Sequence, residues 1–126
     1  TAPAPRLTDI PVLVEQAGEA VRAELRGLDT DVPAGVALTA YRVVQEALSN
    51  VRKHGGPGVT ARVDVDVSPG GVAVRVADDG RGAASVDDGS GLGLLGMRER
   101  VAVHGGDVLA GPRPGGGFVV EARIPL

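Results

Sequence analysis

A chain of 126 residues suffices for one domain around one core. Its 13 Lys and Arg against 16 Asp and Glu leave a net charge of −3, so it lacks the basic footprint of a nucleic-acid binder. The absence of cysteine excludes a disulfide framework, a thiolate zinc site and a cysteine nucleophile. No apolar run reaches the roughly 18 residues of a membrane span, and no signal peptide is visible.

In chain order, residues 1–6 read as a linker or terminal edge and residues 7–126 as one domain. Thr8 or Asp9 is placed to cap a helix with Pro11 in its first turn. Ile10, Leu13, Val14 and Ala17 then share one face. "VRAELRG" alternates Val21, Ala23 and Leu25, a short strand. Asp31 and Pro33 open a longer helix with an apolar stripe of Ala37, Ala40, Tyr41, Val44, Leu48 and Val51. "HGGPG" stops it, glycine supplying a left-handed cap.

"VTARVDVDV" and "VAVRVAD", joined by "SPGG", predict a hairpin with Val59, Ala61, Val63, Val65 and Val67 facing Val72, Val74 and Val76 across one apolar side. This valine alternation outweighs the 20 glycines and 9 prolines, whose share approaches the roughly 25% that suggests disorder. A helix follows from about Leu94 to Val103, stopped by Gly105 and Gly106. "DVLAG" and "GGFVVEARIPL" make a second hairpin, with Phe118, Val120, Ala122 and Ile124 inward. The order α-β-α-β-β-α-β-β predicts an α/β (α+β) two-layer sandwich: a mixed, mostly antiparallel sheet with helices on one face.

Three stretches carry chemistry. Asp78 continues the inward parity of Val72, Val74 and Val76, while Asp79 points away. A buried carboxylate needs donors. The exocyclic amine of adenine is one such donor, whereas guanine presents a carbonyl there. Gly80 and Gly82 permit a sharp turn beside a flat ring. The plainer alternative is an Asp-Gly turn with both acids in solvent.

Gly89, Gly91, Gly93 and Gly96 cluster at the start of the predicted third helix, where exposed amides favour phosphate oxygens. The match of Gly91, Gly93 and Gly96 to a dinucleotide fingerprint lacks the required preceding strand. A simple flexible loop is the alternative. On the long helix, Glu46, Asn50, Lys53 and His54 share one side, away from the main apolar stripe. A solvated face is the bland reading. Against it, Asn gains nothing inside a helix unless its amide finds a partner. Glu and Asn oxygens suit Mg²⁺ completed by water and phosphate, and Lys53 offers phosphate a positive charge.

"QEALSNVRKHG", "DDGRG" and "GSGLGLLGMRERV" resemble the N, G1 and G2 boxes of the gyrase/heat-shock chaperone/histidine kinase/mismatch-repair ATPase superfamily. They look closest to the ATP-binding catalytic domain of bacterial sensor histidine kinases that pair with NarL-type response regulators. "YRVVQEALSNVRKH", "GMRERV" and "GGGFVVEARIPL" carry that likeness, which extends over Leu7 to Leu126.

The resemblance implies a Bergerat-type ATP-binding fold with ATP and Mg²⁺ as cofactors. It assigns the adenine amine to Asp78, with Gly80 and Gly82 shaping the pocket. It assigns Mg²⁺ to Asn50, with Glu46 beside it, and puts Lys53 and His54 toward the phosphates or ribose. Glu46, Asn50 and Lys53 are thereby the catalytic candidates. Gly89, Gly91 and Gly93, followed by Leu94, would form the lid hinge and the phosphate-side turn. The lid, about 83–88, is short and has no aromatic residue.

The implied activity is transfer of the γ-phosphoryl of ATP to a histidine on a dimerisation and phosphoacceptor domain, feeding a response regulator in two-component signalling. His54 belongs to the N box and His104 sits at a helix end, so neither reads as that acceptor. The expected object is a cytoplasmic, monomeric catalytic domain without membrane contact, inactive without its acceptor. Rival readings are an ATP hydrolase with Glu46 as base, a nucleotide-gated binding module or anti-sigma-like serine kinase, and, more distantly, a nicotinamide-dependent oxidoreductase.

Overall fold

The computed structural model describes residues 3–81 and 91–126, with no side-chain detail at 91 and 92. After a single 3₁₀ turn at Leu7–Asp9, the elements are α1 (Ile10–Ala17), β1 (Val21–Arg26), α2 (Ala34–His54), β2 (Ala61–Ser68), β3 (Gly71–Asp78), α3 (Gly91–Val103), β4 (Asp107–Pro112) and β5 (Phe118–Pro125). The predicted order of helices and strands holds. Asp9 does not cap α1. Its carboxylate reaches back to accept the Arg6 N–H at 2.8 Å, bracing the 3₁₀ turn instead.

The five strands lie in the order β1-β2-β3-β5-β4. Among the described residues β1 and β2 run parallel and the other neighbours are antiparallel. A parallel pair cannot be closed by a tight turn, and α2 is the crossover between β1 and β2. The β2–β3 hairpin pairs Val63 with Val76, Val65 with Val74 and Val67 with Val72. Period-two alternation therefore delivers six valines to one face, all buried. α2 covers them with Val36, Ala40, Val43, Val44, Ala47 and Val51, joined by Met97 and Val101 of α3 and by Val120, Ala122 and Ile124 of β5. Each fully buried valine contributes about 1.5–3 kcal/mol relative to exposure, which lets a chain with three aromatic-poor helices hold a core built from small aliphatic side chains.

Two expected inward residues are not covered. Ala23 on the edge strand β1 and Ala17, the last residue of α1, are exposed, each at the margin of its layer. Among the described residues no helix lies on the opposite face of the sheet. There the register aligns Glu24, Asp64, Arg75, Glu121 and Leu109 in one row across all five strands. Among the described residues no helix is long and apolar enough to cross a membrane.

Candidate nucleotide site

β3 ends at Asp78, which is paired with Ala61 at the start of β2 and Phe118 at the start of β5. The inward parity is kept to the last residue: Asp78 is only 7% exposed. Its Oδ1 accepts the Gly80 N–H at 2.8 Å. The Asp-Gly turn weighed against a buried acid is thus present, but formed by the buried carboxylate itself. The local bond orients the carboxylate without carrying it into solvent.

α2 stops beside this turn. The Gly55 N–H closes on the Val51 carbonyl at 2.9 Å, and Gly56 follows at φ 83°. That left-handed conformation is where glycine ends helices without a Cβ penalty. Gly80 then packs on the Gly55 backbone so closely that a Cβ at position 80 would strike the Gly55 carbonyl. The Arg81 N–H donates to that same carbonyl at 3.1 Å. Helix end and acidic turn are therefore joined main chain to main chain, and position 80 needs glycine for close approach.

Between them lies a cleft lined by Ala47, Asn50, Val51, His54, Gly55, Val76, Asp78, Phe118 and Val120. Its walls are mostly apolar, with the Asp78 carboxylate and the polar side chains Asn50 and His54 of α2 among them. Apolar walls with few fixed polar groups suit a flat heteroaromatic ring. A purine whose edge offers an N–H to Asp78 matches that donor set, so the residues present fit adenine.

Asp79, of opposite parity, turns to the other side. Its Oδ1 and Oδ2 accept the Thr60 N–H at 2.6 Å and the Thr60 hydroxyl at 2.7 Å. Its own N–H donates to the Thr60 carbonyl at 3.1 Å. The Thr60 backbone bond, then its hydroxyl, hold the Asp79 carboxyl below the usual carboxylate range. On the β5 side, Arg113 Nη1 donates to the Asp78 carbonyl at 2.8 Å. Gly117, at φ 96°, lies against the same carbonyl, and a Cβ there would collide with it.

The structure brings Asn50, His54, Asp78 and Gly80 together around the cleft. Asn50 and His54 are half-buried, not part of a solvated stripe. Lys53 is exposed on the last turn of α2 and does not line the cleft. Glu46, one turn before Asn50, meets α3: a Cβ at Gly93 would collide with its Oε1. α3 begins at Gly91, three residues before the expected Leu94, so Gly91, Gly93 and Leu94 lie inside the helix. Gly82, Gly89 and the lid at about 83–88 lie outside the described residues. His104 packs instead at the start of α2, its Cε1 being 3.0 Å from where a Gly35 Cβ would sit.

Asn50, which lines the cleft, carries an amide oxygen, and Glu46 meets α3 one turn before it. One or two such oxygens fit Mg²⁺, which keeps several waters and takes phosphate oxygens for the rest of its shell. Sequence reasoning missed Thr60, Arg113 and Gly117, whose contacts span long stretches of chain. It read Phe118 and Val120 only as core, and parity could have placed them opposite Asp78 and Val76 once the second hairpin was paired with the first.

Comparison with known proteins agrees with this geometry. The family of histidine kinase-, DNA gyrase B-, and HSP90-like ATPases matches residues 35–126. Sensor histidine kinase LnrJ of Bacillus subtilis is 30% identical over 112 residues, covering 89% of this chain and 27% of that protein. Oxygen sensor histidine kinase NreB of Staphylococcus carnosus is 35% identical over 88 residues, covering 68% of this chain and 25% of that protein. The chain thus spans about a quarter of these relatives' length. Among solved structures, the histidine kinase domain of a blue-light activated kinase from Erythrobacter litoralis superposes with a TM-score of 0.70 at 24% identity, over 100% of this chain and 70% of that one. The catalytic domain of histidine kinase ThkA gives 0.69 at 19% identity, over 94% and 90%. Together with the mixed five-stranded sheet under its helices, these place the fold as the Bergerat type. The chain belongs to the family of histidine kinase-, DNA gyrase B-, and HSP90-like ATPases.

Proposed function

We propose that this domain binds Mg²⁺–ATP and delivers its γ-phosphoryl to a histidine on a dimerisation domain outside residues 1–126, in a two-component signalling kinase. The observation that carries the reading is the buried Asp78 carboxylate at the end of an aliphatic cleft. It accepts from the adenine amine and repels the carbonyl that guanine would put there. Ala47, Val51, Val76 and Val120 exclude water from the ring. Asn50 offers an oxygen to the metal at the phosphate end, and His54 faces the ribose or phosphates. Lys53, exposed on the last turn of α2, offers positive charge to the phosphates. The metal neutralises charge on the phosphates.

Catalysis of this kind rests on positioning and charge neutralisation. The acceptor imidazole is a nucleophile when neutral, so this chain need not supply a strong base. The donor domain alone then holds nucleotide without a residue of its own in line with the γ-phosphate. Glu46 as a base for water is the second reading; its carboxylate against Gly93 places it beside the first turn of α3.

The test is incubation with γ-labelled ATP, with and without a supplied helical acceptor domain. The expected result is acid-labile, alkali-stable label on a histidine of the acceptor and none on the isolated chain. Asn50→Ala should reduce transfer at limiting Mg²⁺ more than it weakens metal-free nucleotide binding. Stoichiometric label on His54 or His104, or acid-stable phosphoserine, would refute the reading.

A further inference from the structure

We infer that Thr60, Asp79 and Arg113 are positioning residues that fix the reach of the Asp78 carboxylate into the cleft; the inference rests on the adenine reading of Asp78. Asp78 is the last residue of β3. A side chain at a strand end has no following ladder to hold its backbone, yet recognition of one amine needs the carboxylate placed to within a fraction of an ångström.

The structure supplies a brace on each flank. On the β2 flank three hydrogen bonds tie Asp79 to Thr60: two into the carboxylate at 2.6 and 2.7 Å, and one from the Asp79 N–H at 3.1 Å. They extend the β2–β3 pairing one step past Asp78 through one main-chain bond and two bonds into the Asp79 carboxylate. On the β5 flank the Arg113 guanidinium donates to the Asp78 carbonyl at 2.8 Å. Arg113 is itself set in the β4–β5 turn, its N–H on the Gly117 carbonyl at 3.0 Å and its own carbonyl accepting the Gly116 N–H at 3.1 Å. Gly117 closes on the Asp78 carbonyl from the same side. The peptide that carries Asp78 is thus gripped from both neighbouring strands, while Gly80 orients the carboxylate from within the turn. The two adjacent acids divide the work. Asp78 faces the ligand, and Asp79, which parity directs away from it, anchors the turn.

A positioning role differs from a merely structural one in what it does to a single ligand atom. Loosening the brace misplaces Asp78 and weakens only ligands that use it. A damaged scaffold weakens every nucleotide. The test therefore compares, by calorimetry on the folded domain, ADP with its analogue lacking the 6-amino group, for the parent, Thr60→Val, Thr60→Ser and Arg113→Met. Thr60→Val keeps the shape and the backbone N–H bond but loses the hydroxyl bond. Loss of one such hydrogen bond corresponds to about fivefold.

The expected result is that the parent's preference for ADP narrows about fivefold in Thr60→Val and in Arg113→Met. Affinity for the analogue should stay at the parental value, and Thr60→Ser should restore the preference. An unchanged preference, or an equal loss for both ligands, overturns the positioning role while leaving the adenine reading intact. A parent that does not distinguish the two ligands, and that responds to Asp78→Asn no more than to the analogue, overturns the adenine reading and the positioning role with it.

Discussion

Glu24, Asp64 and Glu121 on the helix-free face of the sheet and Asp78 and Asp79 at its end are the same functional group in opposite circumstances. The first three answer to arginines. Arg62 reaches both Glu24, at 2.9 Å, and Asp64, at 3.0 Å, and Arg75 meets Glu121 at 3.2 Å. All these side chains are a third or more exposed. Such pairs are long, screened and individually worth about 0–1 kcal/mol. They keep the open face soluble and leave the direction of each carboxylate loosely set. At the sheet's end the donors are backbone N–H groups and a threonine hydroxyl, which cannot swing away as an arginine can. Charge satisfied by side chains tolerates motion, and charge satisfied by main chain specifies direction. The second kind is what recognition of one ligand atom requires.

The comparison breaks most sharply at Asp78. Asp78→Asn puts an amide where the proposed reading has a carboxylate meet an amine, and it keeps the size of the side chain. Adenine-nucleotide affinity should fall on the order of 100-fold or more, because a site built around one hydrogen bond strongly rejects its loss. Titration calorimetry showing parental affinity would remove Asp78 from the ligand.

Asp79 sharpens the comparison through pH. Its folded-state carboxyl lies below the usual range, chiefly through the Thr60 N–H. A group depressed on folding stabilises above its unfolded pKa of about 3.9 and loses that contribution as pH falls through the folded value. The stability gap between parent and Asp79→Ala should therefore be constant from pH 8 to 5 and close only below about pH 4. A gap already shrinking between pH 7 and 5, read by chemical denaturation, would contradict the assignment.

The smallest effect belongs to the outer face. Glu121→Ala removes the partner of Arg75, yet should change stability by less than about 0.5 kcal/mol and leave nucleotide affinity alone. A loss above 2 kcal/mol would mean that the row of charges across the strands acts as a network.

Much of this was legible beforehand for local reasons. The valines of β2 and β3 alternate because a strand has period two, and that same period carried Asp78 inward. Gly55 and Gly56 announced the end of α2. The start of α3 was misread because glycines are poor helix formers. At position 93 glycine sits inside the helix with the Glu46 carboxylate close against it, a tertiary contact that helix propensity does not register. On α2 the solvated-face alternative fails for the two residues that line the cleft. Asn50 and His54 are half-buried because β3 and β5 come up beside them, not because of anything along the helix.

The sequence by itself determined the order of elements, the buried face of each strand and the parity of the two acids, since all of these follow from periodicities within a few residues. Only the tertiary structure decided which groups hold Asp78 in place. Thr60 lies 19 residues from Asp79, and Arg113 lies 35 from Asp78. Contacts at such separations depend on strand order, and the insertion of β5 between β3 and β4 is what brings the Arg113 turn to the end of β3. No local pattern of side chains encodes that insertion, because it is fixed by how the whole apolar face is buried.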